Sequence, residues 1–346
     1  MNIRLSVTSD KQAWEQYVNA HPDATPYHRF AWVQSIEQAY HHKNVSFIAL
    51  EGGSVVGVLP CINMKKPFSS SVFCSLPYCD LGFCLADNET IQKAIITKAT
   101  EHLKSVKGSA FEYRDSNLTA TDELSFEGEK VRMLLPLPES SDELMSSFKS
   151  KLRSQIRKSE KNGLTFNIAS NSKSIDDFYQ IFSINMRKLG SPVHSKEWFK
   201  TLFDNYGDNI ILSVVYSENI PVGAGIVLVN GKKACIPWAS TVSEYNRLAP
   251  NMMLYWSLLQ HVSNTNVEEF DFGRSTFNEG TYKFKRQWGA KPQPLKWSNL
   301  IADNQEKSES NIKVSKVREL VENVWSKLPL KVTTVIGPMI RRHISL

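Results

Sequence analysis

The sequence predicts an α+β protein made of two copies of one unit, with a helical tail. Three observations predict it. The order helix pair, hairpin, strand, helix, strand runs through residues 1–138 and again through 139–302. Short segments of the two halves correspond, Ser54–Leu59 with Ile220–Gly225 and Phe111–Arg114 with Phe270–Arg274. A polar spacer, Asp303–Asn311, then separates the second half from an apolar-periodic stretch, Ile312–Leu328, and a basic end, Arg341-Arg342-His343.

Trp14, Tyr17 and Val18 give Asp10–Ala20 helical spacing, and Trp32, Val33, Ile36 and Tyr40 do the same for Phe30–Tyr40. Ser46–Leu50 and Ser54–Ile62 are β-rich runs around the turn Glu51-Gly52-Gly53. Val72–Leu76 and Leu81–Cys84 read as short strands, Glu89–Ser105 as a helix, Ala110–Arg114 and Lys130–Leu135 as strands. In the second half Ser141–Lys161 and Ile175–Leu189 read as helices. Asn209–Tyr216, Val222–Val229 and Ala234–Thr241 read as strands, Asn251–Ser263 as a helix and Glu269–Gly273 as a strand.

The 346 residues, 41% hydrophobic and 22% charged, suffice for two cores. Eight Trp and 10% aromatics exclude a disordered chain, and no apolar run approaches the roughly 18 residues of a membrane helix. The first residues lack the apolar core of a signal peptide, so none is expected. The five cysteines, Cys61, Cys74, Cys79, Cys84 and Cys235, are odd in number and form no C-x-x-C pair. They are expected to be buried thiols in a reducing cytoplasm, with no metal. His28, His41, His42 and His194 stand in polar or turn surroundings, as surface or structural residues. The net charge of +6 suits an anionic partner without requiring one.

Four features can carry chemistry. Along 141–161, Leu144, Phe148, Leu152 and Ile156 form an apolar stripe, and Lys149, Arg153, Arg157 and Lys161 a basic one beside it. That basic stripe is either a solvated face or a contact for phosphate or carboxylate. In Asp271-Phe272-Gly273-Arg274, at a strand end, Asp271 can take a proton or orient an amine and Arg274 can clamp an anion. An Asp–Arg structural pair would read the same way. Tyr282 to Gly289 interleaves three cations with three aromatics, which suits an anionic, ring-bearing ligand or a packed amphipathic turn. Finally, Arg247, Pro250 and Asn251 precede a helix whose N-terminus can bind an anion, Asn251 as a cap. Pro250 and Met252 stand where acyl-CoA enzymes carry the glycines that wrap a pyrophosphate.

An ordered set of segments resembles the FemAB-like proteins of the GNAT acyltransferase superfamily, closest to the branch associated with exosortase and exopolysaccharide clusters (a BioF2-like acetyltransferase domain). The set comprises Thr25–Trp32, Ser75–Gly82, Leu152–Leu164, Ala249-Pro250-Asn251, Phe272–Thr276 and Trp288-Gly289-Ala290. The resemblance implies tandem GNAT-like domains, 1–138 and 139–302, with a central cleft, and a helical basic tail, 303–346. It implies an acyl- or aminoacyltransferase acting on an amine or hydroxyl of a cell-envelope glycan, exopolysaccharide or peptidoglycan-type precursor. A non-catalytic GNAT-fold module for an anionic glycan or RNA is the alternative.

On this reading Lys285 and Asp271 are catalytic. Arg153, Arg157, Arg274, Tyr282, Phe284, Tyr78, Asp80 and Trp32 bind substrate, and Arg247 and Asn251 meet the donor's anion. No cofactor is held tightly, and the donor is aminoacyl-tRNA or acyl-CoA. The expected partners are an anionic glycan or lipid-linked precursor and tRNA. The expected location is the cytoplasm, with peripheral contact at the inner face of the membrane through Arg341 and Arg342.

Overall fold

The computed structural model describes residues 1–64, 69–116, 126–169, 174–301 and 316–346. The chain divides into two compact units, one of residues 1–131, 293–311 and 343–346, the other of 132–292 and 312–342.

In the first unit the elements run β1 (Asn2–Leu5), α1 (Lys11–Ala20), α2 (Phe30–Tyr40), β2 (Lys43–Asn44), β3 (Phe47–Glu51), β4 (Ser54–Leu59), β5 (Ile62–Asn63), β6 (Val72–Cys74), β7 (Leu85–Ala86), α3 (Glu89–Ser105) and β8 (Ala110–Ser116). The second unit carries β9 (Lys130–Pro136), α4 (Ser141–Ser147), α5 (Ser150–Lys161), β10 (Leu164–Ala169), α6 (Ile175–Lys188), α7 (Lys196–Tyr206), β11 (Ile210–Ser217), β12 (Ile220–Asn230), β13 (Lys233–Thr241), α8 (Pro250–Ser263), β14 (Glu269–Thr276) and α9 (Gly280–Gln287). Then come β15 (Lys291–Asn299), most of it in the first unit, and α10 (Lys316–Lys327) and α11 (Leu330–Arg341) in the second.

The first unit orders its strands β1-β3-β4-β7 and β15-β8-β6-β5-β2; the second orders them β10-β11-β12-β13-β14-β9. Each unit contains one parallel pair joined by a helix, β6 with β8 through α3 and β13 with β14 through α8. The second unit has three layers. On β11–β13, Ser213, Gly225 and Ala239 are in register and share the face that receives α8, where Ser213 Oγ lies 2.7 Å from Ser257 Oγ. Ser240 points the other way and accepts from Asn185 Nδ2 of α6 at 3.1 Å. Trp198, Trp288, Phe178, Phe199 and Phe270 are among the fully buried side chains of this core.

The expected helix 141–161 is two helices. Phe148 and Lys149 adopt extended backbone, ψ 146° at both, between α4 and α5. Leu144, Phe148, Leu152 and Ile156 are all buried, so the apolar stripe survives the break. Leu81–Cys84 is not a strand; pairing begins only at Leu85, opposite Val58. The expected start of the tail helix, residues 312–315, and the spacer Asp303–Asn311 lie outside the described residues.

All five cysteines are buried and free, and burial pushes the Cys74 thiol up to about 12. His28, His42 and His194 are buried rather than at the surface. His28 links Thr25 to the Phe83 carbonyl across 55 residues.

The last two helices pack on α6, leaving Leu320, Val321, Val324, Val335, Ile336, Met339 and Ile340 exposed. Arg341 is turned inward, not toward a membrane: its Nε donates to His194 Nε2 at 3.1 Å. Among the described residues no helix is long and apolar enough to cross a membrane.

His194 makes the seating of α11 sensitive to acid. Burial first, and the Arg341 charge second, hold its pKa well below the ordinary 6.5. The unfolded chain therefore binds the proton more readily, so stability is fully present above about pH 6.5 and is lost as the pH falls below it. The expected outcome is a Tm that drops on acidification below pH 6.5 more steeply in the wild type than in His194→Gln. Parallel pH profiles for the two proteins would contradict this.

Candidate functional site

The centre of the site is the end of β14. β13 and β14 pair in parallel only at Lys233↔Glu269, Ala234↔Phe270 and Cys235↔Asp271. Beyond that pair β13 runs on to Thr241 and β14 to Thr276, so the two strands part at Asp271. In open α/β sheets, a crevice at the carboxyl ends of parallel strands is the usual place for a ligand.

Asp271 is buried and both of its oxygens are engaged. Oδ2 accepts from Arg132 Nε at 3.0 Å and Oδ1 from the Gly273 N–H at 2.8 Å. Arg132 comes from the neighbouring strand β9 and also lies 3.8 Å from Glu269. Gly273 has φ +73°, a left-handed conformation that costs a residue with a Cβ, and it turns the strand end where the Asp271 contact closes. Lys285 of α9 is 8% exposed, and its Nζ donates to the carbonyls of Gly273 at 2.9 Å and Arg274 at 2.7 Å. The Ser275 hydroxyl is buried among these groups without a hydrogen-bond partner.

The structure thus brings Asp271, Arg274 and Lys285 together on one strand end. Each Asp271 oxygen accepts one of these bonds and keeps a lone pair for a second. Phe284 packs against Tyr255, with ring centroids 5.0 Å apart. Tyr282 is wholly buried, its ring 4.7 Å from Phe277 and its hydroxyl accepting from Arg286 at 2.8 Å. Tyr282 therefore meets a substrate only through the residues that it holds.

On α5, Arg157 is exposed and Arg153 half-buried, with Nη1 3.3 Å from the Ser146 carbonyl. Arg247 is exposed in the turn before α8. The cap of α8 is Ala249, at φ +61°, not Asn251. Asn251 Oδ1 instead accepts from the Met252 N–H at 3.0 Å, which also reaches the Ala249 carbonyl. Met252 itself is buried, so its side chain does not stand in the turn.

Trp32, Tyr78 and Asp80 belong to the first unit, around the Ser75–Gly82 loop. Trp32 Nε1 donates to the Pro77 carbonyl at 3.1 Å and Trp297 Nε1 to the Asp80 carbonyl at 3.0 Å. Arg114, fully buried beneath Trp297, donates to the Cys79 carbonyl at 2.6 Å. Trp32 has no exposed surface and Tyr78, at φ +70°, very little, so both hold the loop instead of facing solvent.

Arg132 was missing from the residues singled out in the sequence. Its signal is a cation inside an otherwise apolar strand, Val131-Arg132-Met133-Leu134-Leu135, which folding must partner.

The profile of the acetyltransferase (GNAT) domain family matches residues 146–286, the span that holds α5, β13, α8, β14 and most of α9. No curated protein matches the chain in sequence. Among solved structures, FemX is similar with TM-score 0.68 at 16% identity, over 87% of this chain and 98% of that one. The C-terminal domain of a putative lysylphosphatidylglycerol synthetase from Agrobacterium fabrum is similar with TM-score 0.54 at 12% identity, covering 84% and 92%. A tandem GNAT protein from the clavulanic acid biosynthesis pathway follows with TM-score 0.51 at 12%, covering 88% and 99%.

The fold and the matched domain are of the GNAT type. Residues 146–286 match the model of that domain family, and the chain shares the fold of FemX and of the tandem GNAT protein.

Removing one partner of the buried Arg132–Asp271 pair strands the other charge, at a cost of about 3–5 kcal/mol. Arg132→Met is expected to lower unfolding free energy by that order in denaturant titration. Arg157→Ala, on an exposed face, is expected to change it by less than about 1 kcal/mol. A mild effect of Arg132→Met would remove the pair from its anchoring role.

Proposed function

We propose that the protein transfers an acyl or aminoacyl group to an amine or hydroxyl of a cell-envelope glycan, exopolysaccharide or peptidoglycan-type precursor. The observation that carries the reading is the parting of β13 and β14 at Asp271, with Lys285 bound to the strand end. Strand edges released from a ladder can hydrogen-bond a peptide-like or aminoacyl group through its N–H and C=O. The acceptor nitrogen or oxygen attacks the acyl carbon, its proton is lost, and the donor's leaving group departs.

Asp271, fixed by Arg132, orients the acceptor's N–H or O–H. Lys285 supplies positive charge near the developing oxyanion, an effect worth about 2.7–4 kcal/mol where a donor reaches it. Arg274 positions the substrate with Phe284, and Arg153 and Arg157 hold the acceptor's anionic part. The name of one fold neighbour, lysylphosphatidylglycerol synthetase, supports including an aminoacyl group and a lipid-linked acceptor in the class.

Free acetyl-CoA fits the donor role poorly. Pro250 offers no N–H, and the Met252 N–H is taken by Ala249 and Asn251, so the start of α8 has little left for a pyrophosphate. Aminoacyl-tRNA is therefore the preferred donor, with Arg247 on its phosphates.

The test incubates the purified protein with charged tRNA or acyl-CoAs and with undecaprenyl-linked sugars, and detects acylated product by mass spectrometry. Product is expected with charged tRNA. No product from any pairing would overturn the proposal. Lys285→Met keeps the stem and removes the charge, so turnover is expected to fall roughly a hundredfold. Acetyl-CoA is expected to give no micromolar binding by calorimetry.

A further inference from the structure

Helix α11 is seated with its polarity reversed. A surface helix ordinarily turns its apolar stripe to the core and its polar face to water. On α11 the inward residues are Thr333 and Gly337, both buried, and Arg341, which donates to His194. They recur every four residues and so share one face. The seating is close: a Cβ on Gly337 would stand 2.9 Å from the backbone nitrogen of Val193, which fixes the roll of the helix. The apolar stripe of Val335, Ile336, Met339 and Ile340 is thereby held outward, with Val335 69% and Met339 66% exposed.

Helix α10 follows the same plan. Its two acids, Glu319 and Glu322, line a groove with Lys188 and Gly190, and Glu322 packs directly on Gly190. Leu320, Val321 and Val324 are exposed on another face. Lys327, three residues on from Val324, and Lys331, four before Val335, are exposed beside these apolar residues. No Asp or Glu occurs from Lys327 to Leu346. Grouped exposed apolar side chains mark an interaction surface. One that is apolar in its middle and cationic at its edge complements an anionic lipid surface, where acyl chains take the apolar side chains and phosphates the ammonium groups. A second copy complements it less well. A two-fold contact would bring Lys327 and Lys331 of both copies together, with no acid on the described part of this face to meet them.

We infer that the outward faces of α10 and α11 dock on an anionic lipid bilayer. Val335, Ile336, Met339 and Ile340 enter the boundary between headgroups and acyl chains, and Lys327 and Lys331 meet the headgroup phosphates. Arg341 takes no part, because it is held by His194. The inference rests on these two helices alone and stands apart from acyl transfer.

The test is co-sedimentation of the full chain with vesicles of phosphatidylglycerol and phosphatidylcholine, and with vesicles of phosphatidylcholine alone. Partitioning is expected to be about tenfold or more stronger on the anionic vesicles and to fall as salt rises. Val335→Glu with Met339→Glu, checked for fold by circular dichroism, is expected to weaken it about tenfold or more. Lys327→Gln with Lys331→Gln keeps the apolar stripe and is expected to weaken binding to anionic vesicles about tenfold, leaving the weak partitioning on phosphatidylcholine unchanged. No sedimentation with anionic vesicles would overturn the inference, as would binding that both double variants retain in full. A dimer in analytical ultracentrifugation that Val335→Glu with Met339→Glu dissolves would give the face to a second copy and overturn it too.

Discussion

The buried ion pair between Arg132 and Asp271 is the constraint on which the rest of the site depends. It joins strands 139 residues apart in sequence, and the contacts continue from it. Asp271 takes the Gly273 N–H, and the Gly273 carbonyl takes Lys285 Nζ. A cation on β9 thus sets the end of β14, which in turn seats α9. The pair is worth keeping for what it positions, since burying two charges costs desolvation that their attraction only partly offsets.

Helix α9 serves two neighbours. Lys285 reaches the strand end while Lys283 and Arg286, three apart, line a cavity beside α5. Tyr282 anchors the helix in the core through Phe277 and steadies Arg286, at 2.8 Å from its hydroxyl. Eight residues therefore couple the geometry of two polar regions, and any shift of the helix is felt by both.

The repeat, the hairpins and most helices were legible because burial imposes a period. Phe30–Tyr40 and Glu89–Ser105 match their expected spans, since one face of each packs on the unit's core. The break at Phe148-Lys149 was not legible, because the apolar stripe continues in register across it. The strand Lys291–Asn299 escaped notice because its two prolines and alternating polar residues weaken the pattern. At the site, Asp271, Arg274 and Lys285 could be gathered from a motif and a helical turn. Arg132 could not, because its pairing is set by strand order, which local sequence does not encode. Asn251 was misread as a cap because Ala249 takes the left-handed position one residue before the proline.

The two parallel strand pairs share more than topology. In one, Phe73 faces Phe111 and Cys74 faces Glu112; in the other, Ala234 faces Phe270 and Cys235 faces Asp271. Each cysteine thus opposes an acid that follows a phenylalanine. The two pairs differ in the surroundings of the acid. Glu112 is partly open to water and lies 3.5 Å from Arg114, whose guanidinium also donates to the Cys79 carbonyl of the Ser75–Gly82 loop. Asp271 is buried and tied at both oxygens. The acid of one pair thus fixes a strand end, while beside the other acid it is the arginine that rivets a loop. Loss of the carboxylate at 271 would therefore strand Arg132, whereas loss of the one at 112 would leave Arg114 its bond to the Cys79 carbonyl.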